Sequence, residues 1–372
     1  MESITHMMPW NWQLPEWPRF NFDPALTVTQ EKQFLLNAGS SAANLKSIED
    51  REYKHLVVEI LSIEGEKSAR IEGELLESAS LQSSIKKHFG LTSTTKRVPD
   101  KEAGMAELLC SVYESYDTPL SHEMLFKWHA LLFKGAAHIE ACGSYRTHPE
   151  PMQIVSNQST ANTVFFEAPP SAKVQEEMTQ FITWFNTTSI SLPILARAAI
   201  AHLYFENIHP FEDGNGRIGR VIAEKALSQG VGRPLLIALS ERLEKRKKEY
   251  YAALEACNRS LDAQDWVIFF SEITLQAQEE SIALIHFIIE KSKLLQRLEG
   301  QLNERQEKVL LRMLAEGLNG FKGGLSAENY ITIAKTTRAT ATRDLNDLIK
   351  KRALIKTGQL RHTRYHLNLK SV

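Results

Sequence analysis

Apolar residues recur at helical spacing along most of this chain. Between about Thr29 and Phe89 they fall at Phe34, Leu35 and Leu45, then at Leu56, Val57, Ile60, Leu61 and Ile63, then at Leu75, Leu76 and Leu81. That rhythm predicts a helical hairpin or pair. A second helical region is expected from about Lys101 to Lys134, with Trp128 in its core. Further helices are expected over Val174–Phe185, Pro193–Ile208, Ile218–Ser228 and Ser240–Leu261, and an almost unbroken one from Trp266 to about Leu314. The period changes in one place before residue 300. Met152-Gln-Ile-Val155 and Thr163-Val-Phe-Phe-Glu167 are short β-branched or aromatic runs joined by a polar turn, which predicts a β-hairpin ended by Pro169-Pro170.

Two segments stand apart from this pattern. Residues 8–24 hold Trp10, Trp12 and Trp17 among four prolines, so a regular helix is excluded and an extended arm is expected. Such an arm must dock its aromatics either on its own domain, the expected case, or on a second copy in a homodimer. Beyond Asn303 the order is a helix over Arg305–Leu314, a glycine-rich turn, a helix around Ser326–Thr332, a helix over Thr336–Lys350, and strands at Ala353–Lys356 and Arg364–Leu367. That succession is the pattern of a winged helix-turn-helix domain. The divisions expected are therefore an arm at 1–28, a helical region at 29–100, a helical core at 101–275, a linker helix at 276–302 and the winged domain at 303–372.

Composition narrows the classes. With 43% hydrophobic and 24% charged residues the 372-residue chain reads as globular rather than disordered, and its length suggests more than one core. A net charge of −1 gives no overall attraction to nucleic acid or an acidic membrane. The exception is local: between Lys335 and Lys370 ten Lys/Arg stand against two Asp. Three cysteines, Cys110, Cys142 and Cys257, lack metal or disulfide spacing. No apolar run reaches the ~20 residues of a bilayer span and no secretory signal is read, so the expected location is cytoplasmic, without a membrane partner.

The densest chemistry lies in His209-Pro-Phe-Glu-Asp-Gly-Asn-Gly-Arg-Ile-Gly-Arg220. Gly214, Asn215 and Gly216 precede a helix expected to begin near Arg217, so their N–H groups would face an anion at its positive end. Glycine lets phosphate oxygens approach the backbone, and Arg217 and Arg220, about one turn apart, can reach one polyphosphate with charge-assisted bonds. Asp213 offers a single hard oxygen ligand, suited to Mg²⁺ held mainly by nucleotide phosphates. His209 can act as a general base near neutral pH. Phe211 is expected to anchor the loop. Zinc is disfavoured, because His209 and Asp213 have no His or Cys companions at ligand spacing.

These residues match without a gap the signature His-x-Phe-x-Asp/Glu-Gly-Asn-Gly-Arg-x-x-Arg, and over roughly Lys101–Ile273 the chain resembles the Fic family. The resemblance implies a mainly α fold, a Fic-type helical core with the hairpin as a flap over the active site. It implies a protein adenylyltransferase that moves AMP from ATP to a Ser, Thr or Tyr hydroxyl of a target protein or of itself. On that reading His209 deprotonates the hydroxyl, Asp213 holds Mg²⁺, and Gly214, Asn215, Gly216, Arg217, Ile218, Gly219 and Arg220 bind the triphosphate. Tyr251 resembles the aromatic near adenine, with ordinary helix packing as the alternative. Flap residues Gln153, Ile154, Val155, Val164 and Phe165 would align the target segment by main-chain pairing.

The resemblance also gives meaning to Ser68-Ala-Arg-Ile-Glu72-Gly73. It is similar to the Ser/Thr-x-x-x-Glu-Gly/Asn of Fic proteins with an N-terminal inhibitory helix, in which Glu72 would pair with Arg220 and leave ATP bound unproductively. Two alternatives remain open at this point. Relatives move other phosphate-containing groups or remove AMP, and a DNA-binding regulator could use the core as a nucleotide sensor, with Arg338 and Arg343 on the recognition helix. The C-terminal domain would then contact either DNA or protein.

Overall fold

The computed structural model describes residues 8–46, 48–93, 97–136, 139–155, 164–188 and 191–369. The chain divides into two compact units, one running to Glu279 and the other from Glu280. Both are built mainly of helices.

In the first unit, helix α7 (Ile194–Ile208) is apolar on all sides and almost wholly buried, as expected of a central helix. Its alanines, Ala196, Ala198, Ala199 and Ala201, leave room for neighbours to approach closely. The antiparallel neighbour is α8 (Asn215–Val231), and α6 (Ser171–Thr187) lies on another side. Buried Arg197 ties the three together, donating to Phe185 O at 2.8 Å, Ala226 O at 3.2 Å and Gln229 Oε1 at 2.7 Å. The long helix α11 (Gln264–Leu298), which spans the division, fixes its first turn to α7 through Trp266 Nε1 donating to Ala199 O at 2.8 Å.

The N-terminal helical region holds three helices, not a pair: α1 (Val28–Leu45), α2 (Asp50–Ile71) and α3 (Ser78–His88). Gly73, at φ 81°, breaks the run after Glu72, and periodicity alone does not register such a stop. Helices α4 (Asp100–Glu114) and α5 (His122–Leu132) follow, the second capped by Ser121 Oγ accepting from Met124 N at 3.2 Å. They cross at Gly104, where a Cβ would collide with Leu131 O.

Two long predicted helices are interrupted. Ser240–Leu261 is α9 (Leu239–Lys245) and α10 (Lys247–Ala256), separated by a bend at Arg246. Leu243 and Tyr250 are seven residues apart and share a face whether or not the axis bends, so their pattern could not reveal it. The run toward Leu314 stops at Gly300, φ 68°, and restarts as α12 (Glu304–Leu314) under an Asn303 capping box.

Strands β1 (Gln153–Val155) and β2 (Val164–Glu167) pair antiparallel, Gln153 opposite Glu167 and Ile154 opposite Phe166, with a register shift before Val155. Thr163 and the turn expected at 156–162 lie outside the described residues. The arm packs on this hairpin within the same chain. Trp10 meets Phe166 edge-on at 5.5 Å, Trp12 Nε1 donates to Glu167 O at 2.6 Å, and Asn11 Nδ2 donates to Asn207 Oδ1 at 2.8 Å.

In the second unit α12, α13 (Ala327–Ala334) and α14 (Arg338–Lys350) enclose a core that includes Leu310, Tyr330, Leu345 and Leu348. Strands β3 (Leu354–Thr357) and β4 (Arg364–Leu367) form an antiparallel hairpin whose Tyr365 also bridges to Leu325.

Helices α2, α8 and α9 meet at a buried acid pair. Glu64 accepts from Ser240 N at 2.7 Å and from Ser240 Oγ, and Glu224 is hydrogen-bonded to the same carboxyl. Burial holds both carboxyls above the ordinary value of 4.5. The native pair therefore keeps protons that the unfolded chain releases, and its contribution is full below about pH 4.5 and lost as pH climbs through the raised values. Thermal unfolding followed by circular dichroism should show stability falling toward alkaline pH, and Glu224→Gln should flatten that slope. Gly104→Ala should destabilise by about 1–3 kcal/mol in denaturant unfolding, since backbone rather than a flexible side chain must move.

Candidate active site

The loop between α7 and α8 begins at a left-handed residue and is held by Arg146, by Asn215 and by the stack of Phe211 on His129. His209 ends α7 in the left-handed region, φ 49° and ψ 60°, costly for a residue with a Cβ. Arg146 secures the turn: it is almost fully buried, and its Nε donates to His209 O at 2.8 Å and its Nη2 to Pro169 O at 2.6 Å. Asn215 closes the loop from inside, its Oδ1 accepting from Phe211 N at 3.0 Å and its Nδ2 donating to Phe211 O at 2.9 Å. Helix α8 consequently starts at Asn215, two residues before the expected Arg217, with left-handed Gly214 as its N-cap.

Phe211 is fully buried and stacks on His129 at 4.2 Å. Because Gly143 N–H donates to His129 Nδ1 at 2.9 Å, the His129 proton sits on Nε2 and is donated to Asp213 O at 3.2 Å. Burial pulls the His129 pKa down to about 4, so the ring remains neutral in this structural role.

His209 is fixed by the same logic. Its Nδ1 lies 3.3 Å from Glu206 O, a group that can only accept, so Nδ1 carries the proton and Nε2 keeps its lone pair. Burial, with Arg146 nearby, lowers its pKa to about 4, so the ring is unprotonated at neutral pH.

His209 lines a cavity of about 740 Å³ together with Asp213, Gly214, Asn215 and Gly216 from the loop and Tyr251 from α10. Flap residues Gln153, Ile154, Val155 and Phe165 line it too, and Glu72 enters from the end of α2. Val164 packs instead with the cluster around Trp10 and Phe166. Ile218 is a core residue, and Gly219 faces Glu206 and His202.

Arg217 and Arg220 are not exposed to the cavity, because both are taken by α2 and the turn after it. Arg220 donates through Nη1 to Glu72 Oε1 at 2.8 Å, through Nε to Ser68 Oγ at 3.0 Å and through Nη2 to Ser68 O at 2.9 Å. Burial alone would lower its pKa; Glu72 carries it above the ordinary value. Arg217 lies over the Phe133 ring at 5.1 Å, bonds Glu74 Oε1 at 2.8 Å and approaches Asp213 Oδ1 at 3.4 Å. Glu72 Oε1 fills the space where a Cβ of Gly216 would stand. Tyr251 OH lies 3.4 Å from Glu72 Oε2.

Several contributors carry little signal in the sequence. Arg146, Glu74 and Glu206 resemble surface charges, and Asn11 reaches the site's edge from 196 residues away. No cluster of three or more His, Cys, Asp or Glu able to hold a metal occurs among the described residues. Asp213, half exposed at the cavity, suits a cation whose other ligands arrive with a substrate.

The Fic/DOC family model matches residues 119–227, and a domain of unknown function (DUF4172) matches residues 10–91. Protein adenylyltransferase fic-1 of Caenorhabditis elegans is 27% identical over 158 residues, 42% of this chain and 28% of that protein. Protein adenylyltransferase Fic of Drosophila erecta is 34% identical over 98 residues, 26% of this chain and 19% of that protein. The chain thus spans less than a third of these relatives' length. Among solved structures, a Fic family protein from Desulfovibrio desulfuricans superposes with a TM-score of 0.54 at 21% identity, covering 95% of this chain and 99% of that one. A Fic domain containing signaling protein from Bacteroides thetaiotaomicron gives 0.51 at 19% identity, over 69% and 95%. With the helical fold, the signature loop and the family match all falling on one segment, residues 119–227 form a Fic/DOC family domain.

Proposed function

We propose that this protein is an adenylyltransferase held inactive by its own N-terminal region. The observation that carries the reading is the placement of His209, with Nε2 unprotonated, in a cavity walled by the N-terminal turn of α8 on one side and a β-hairpin on the other. A hydroxyl oxygen of the target attacks the α-phosphorus of ATP, the bond to the bridging oxygen breaks, pyrophosphate leaves, and His209 Nε2 takes the hydroxyl proton. The N–H groups of the α8 first turn, with Arg217 and Arg220 once released, hold the phosphates. Asp213 would hold Mg²⁺, whose bound form offsets phosphate charge. Tyr251 provides an aromatic wall for adenine.

The hairpin supports main-chain docking of a target segment. Two carbonyls of β2 are already engaged, Phe165 O by Asn258 Nδ2 at 3.0 Å and Glu167 O by Trp12. Strand β1, exposed from Gln153 to Val155, is therefore the edge left for an added strand.

Inhibition follows from the arginine contacts. Glu72 and Ser68 occupy the fork of Arg220, and Glu74 occupies Arg217 in the same way. In a filter assay with α-labelled ATP, Glu72→Gly should raise incorporation by about 5- to 150-fold, the range of typical coupling energies. Adding Glu74→Ala should raise it further, and His209→Ala should abolish it. Equal labelling by wild type and Glu72→Gly would remove the inhibitory role.

A second reading has its own support. The buried face of α14, Ala341, Leu345 and Leu348, leaves Arg338 and Arg343 exposed beside the β3–β4 hairpin, as in a winged helix that reads DNA. On that reading, binding of the full chain to duplex DNA falls steeply with salt, and Arg338→Ala with Arg343→Ala reduces the salt slope by about 2. Absence of duplex binding by the full chain at low salt would remove the DNA role and leave the domain to protein contacts.

A further inference from the structure

Glu206 performs no step in the reaction above, yet its carboxyl stands where a partner of the His209 ring belongs. It occupies the last turn of α7, three residues before the histidine, with Oε2 3.8 Å from His209 Nδ1 and its own carbonyl 3.3 Å from that nitrogen. The side chain is 12% exposed and lines the same cavity. Its other oxygen, Oε1, is buried without a hydrogen-bond partner. Space for it is kept by Gly219, where a Cβ would come within 2.6 Å of Oε1. Burying a carboxyl with one oxygen unsatisfied is unfavourable. A leucine would fill this volume without that cost, so packing does not explain the acid.

We propose that Glu206 is the positioning residue of His209: its carboxyl faces the Nδ1–H, holds the ring so that Nε2 meets the acceptor hydroxyl, and stabilises the imidazolium formed when Nε2 takes the proton. The inference rests on His209 being the base. The Nδ1 proton stays on the ring throughout, and Glu206 contributes charge without itself taking a proton.

The groups facing Glu206 make this contribution depend on the inhibitory helix. Beside His209 and His202 of α7 these are Glu72 at the end of α2, Arg220 of α8 and Tyr250 of α10. Burial first, and the Glu72 carboxylate next, push the Glu206 pKa up to about 8, against Arg220. With Glu72 in place Glu206 is largely neutral at pH 7. Withdrawal of Glu72 removes the second raising influence and leaves Arg220, so the Glu206 pKa moves downward when Glu72 leaves, with burial still holding it up. Glu72 thus acts on two groups, pairing with Arg220 and raising the pKa of the partner of the base.

The test uses full-length Glu72→Gly protein alone and with Glu206→Gln or Glu206→Leu, read by self-labelling from α-labelled ATP and Mg²⁺ across pH. Glu206→Leu should lower the maximal rate by about 10- to 100-fold, with half-saturation by ATP within about twofold. Glu206→Gln, which still accepts from Nδ1–H but carries no charge, should recover much of that rate. Its acid limb should lie at lower pH, because an anion no longer favours the imidazolium. Identical rates and acid limbs in all three proteins would overturn the proposal. A separate readout is the ¹⁵N spectrum of histidine-labelled protein, with His209 assigned by His209→Ala. The Nδ1–H tautomer, fixed by the Glu206 carbonyl, should persist in Glu206→Leu while the titration midpoint of the ring moves to lower pH, and an unchanged midpoint would count against Glu206. Glu72→Gly protein that transfers nothing, yet shows the shift of the titration midpoint on adding Glu206→Leu, would discard the transferase reading while keeping the positioning role.

Discussion

A buried guanidinium must have its donors satisfied, by carbonyl oxygens as at Arg146 and Arg197 or by a carboxylate as at Arg220, and this constraint governs the first unit. Arg220 is completely enclosed, and its three nitrogens are satisfied only because α2 ends where it does, delivering Ser68 and then Glu72. The stop at Gly73 fixes that ending, and the acid pair of Glu64 and Glu224 lies further along the same two helices. On the proposed reading, a triphosphate supplies Arg220 with an equivalent anion when α2 withdraws. Inhibition on that reading is a competition between two anions for one cation.

The mainly helical class was legible because a 3.6-residue rhythm needs only local information. Breaks were less visible. The bend at Arg246 leaves the apolar face continuous, and the start of α8 depends on Asn215 bonding a residue four positions earlier, which residue type alone does not announce. The signature loop was readable for a different reason: its chemistry is contiguous, so twelve neighbours carry the anion-binding turn, the candidate base and both arginines.

Part of what surrounds that loop was not readable. Arg146, Glu74, His129 and Asn11 act through contacts between elements far apart in sequence, and each is an ordinary residue in its own neighbourhood. Glu206 sits on the helix that delivers His209, but at a helix end a glutamate reads as solvated until its burial is known. The match of residues 10–91 to one domain of unknown function gains a physical outline from these contacts. The start of that segment fastens the hairpin through Trp10 and Trp12, and its later helix reaches the arginines, so one stretch of chain brackets the cavity from both sides.

The left-handed backbone at His209 has an evolutionary consequence. A glycine there would relieve the torsional strain and make the turn more robust, while removing the imidazole. On the proposed reading of His209 as the base, selection for stability and selection for chemistry pull this position in opposite directions. An active lineage must keep a residue its own fold disfavours, and a lineage freed from that chemistry would have a downhill route to a sturdier, inert scaffold.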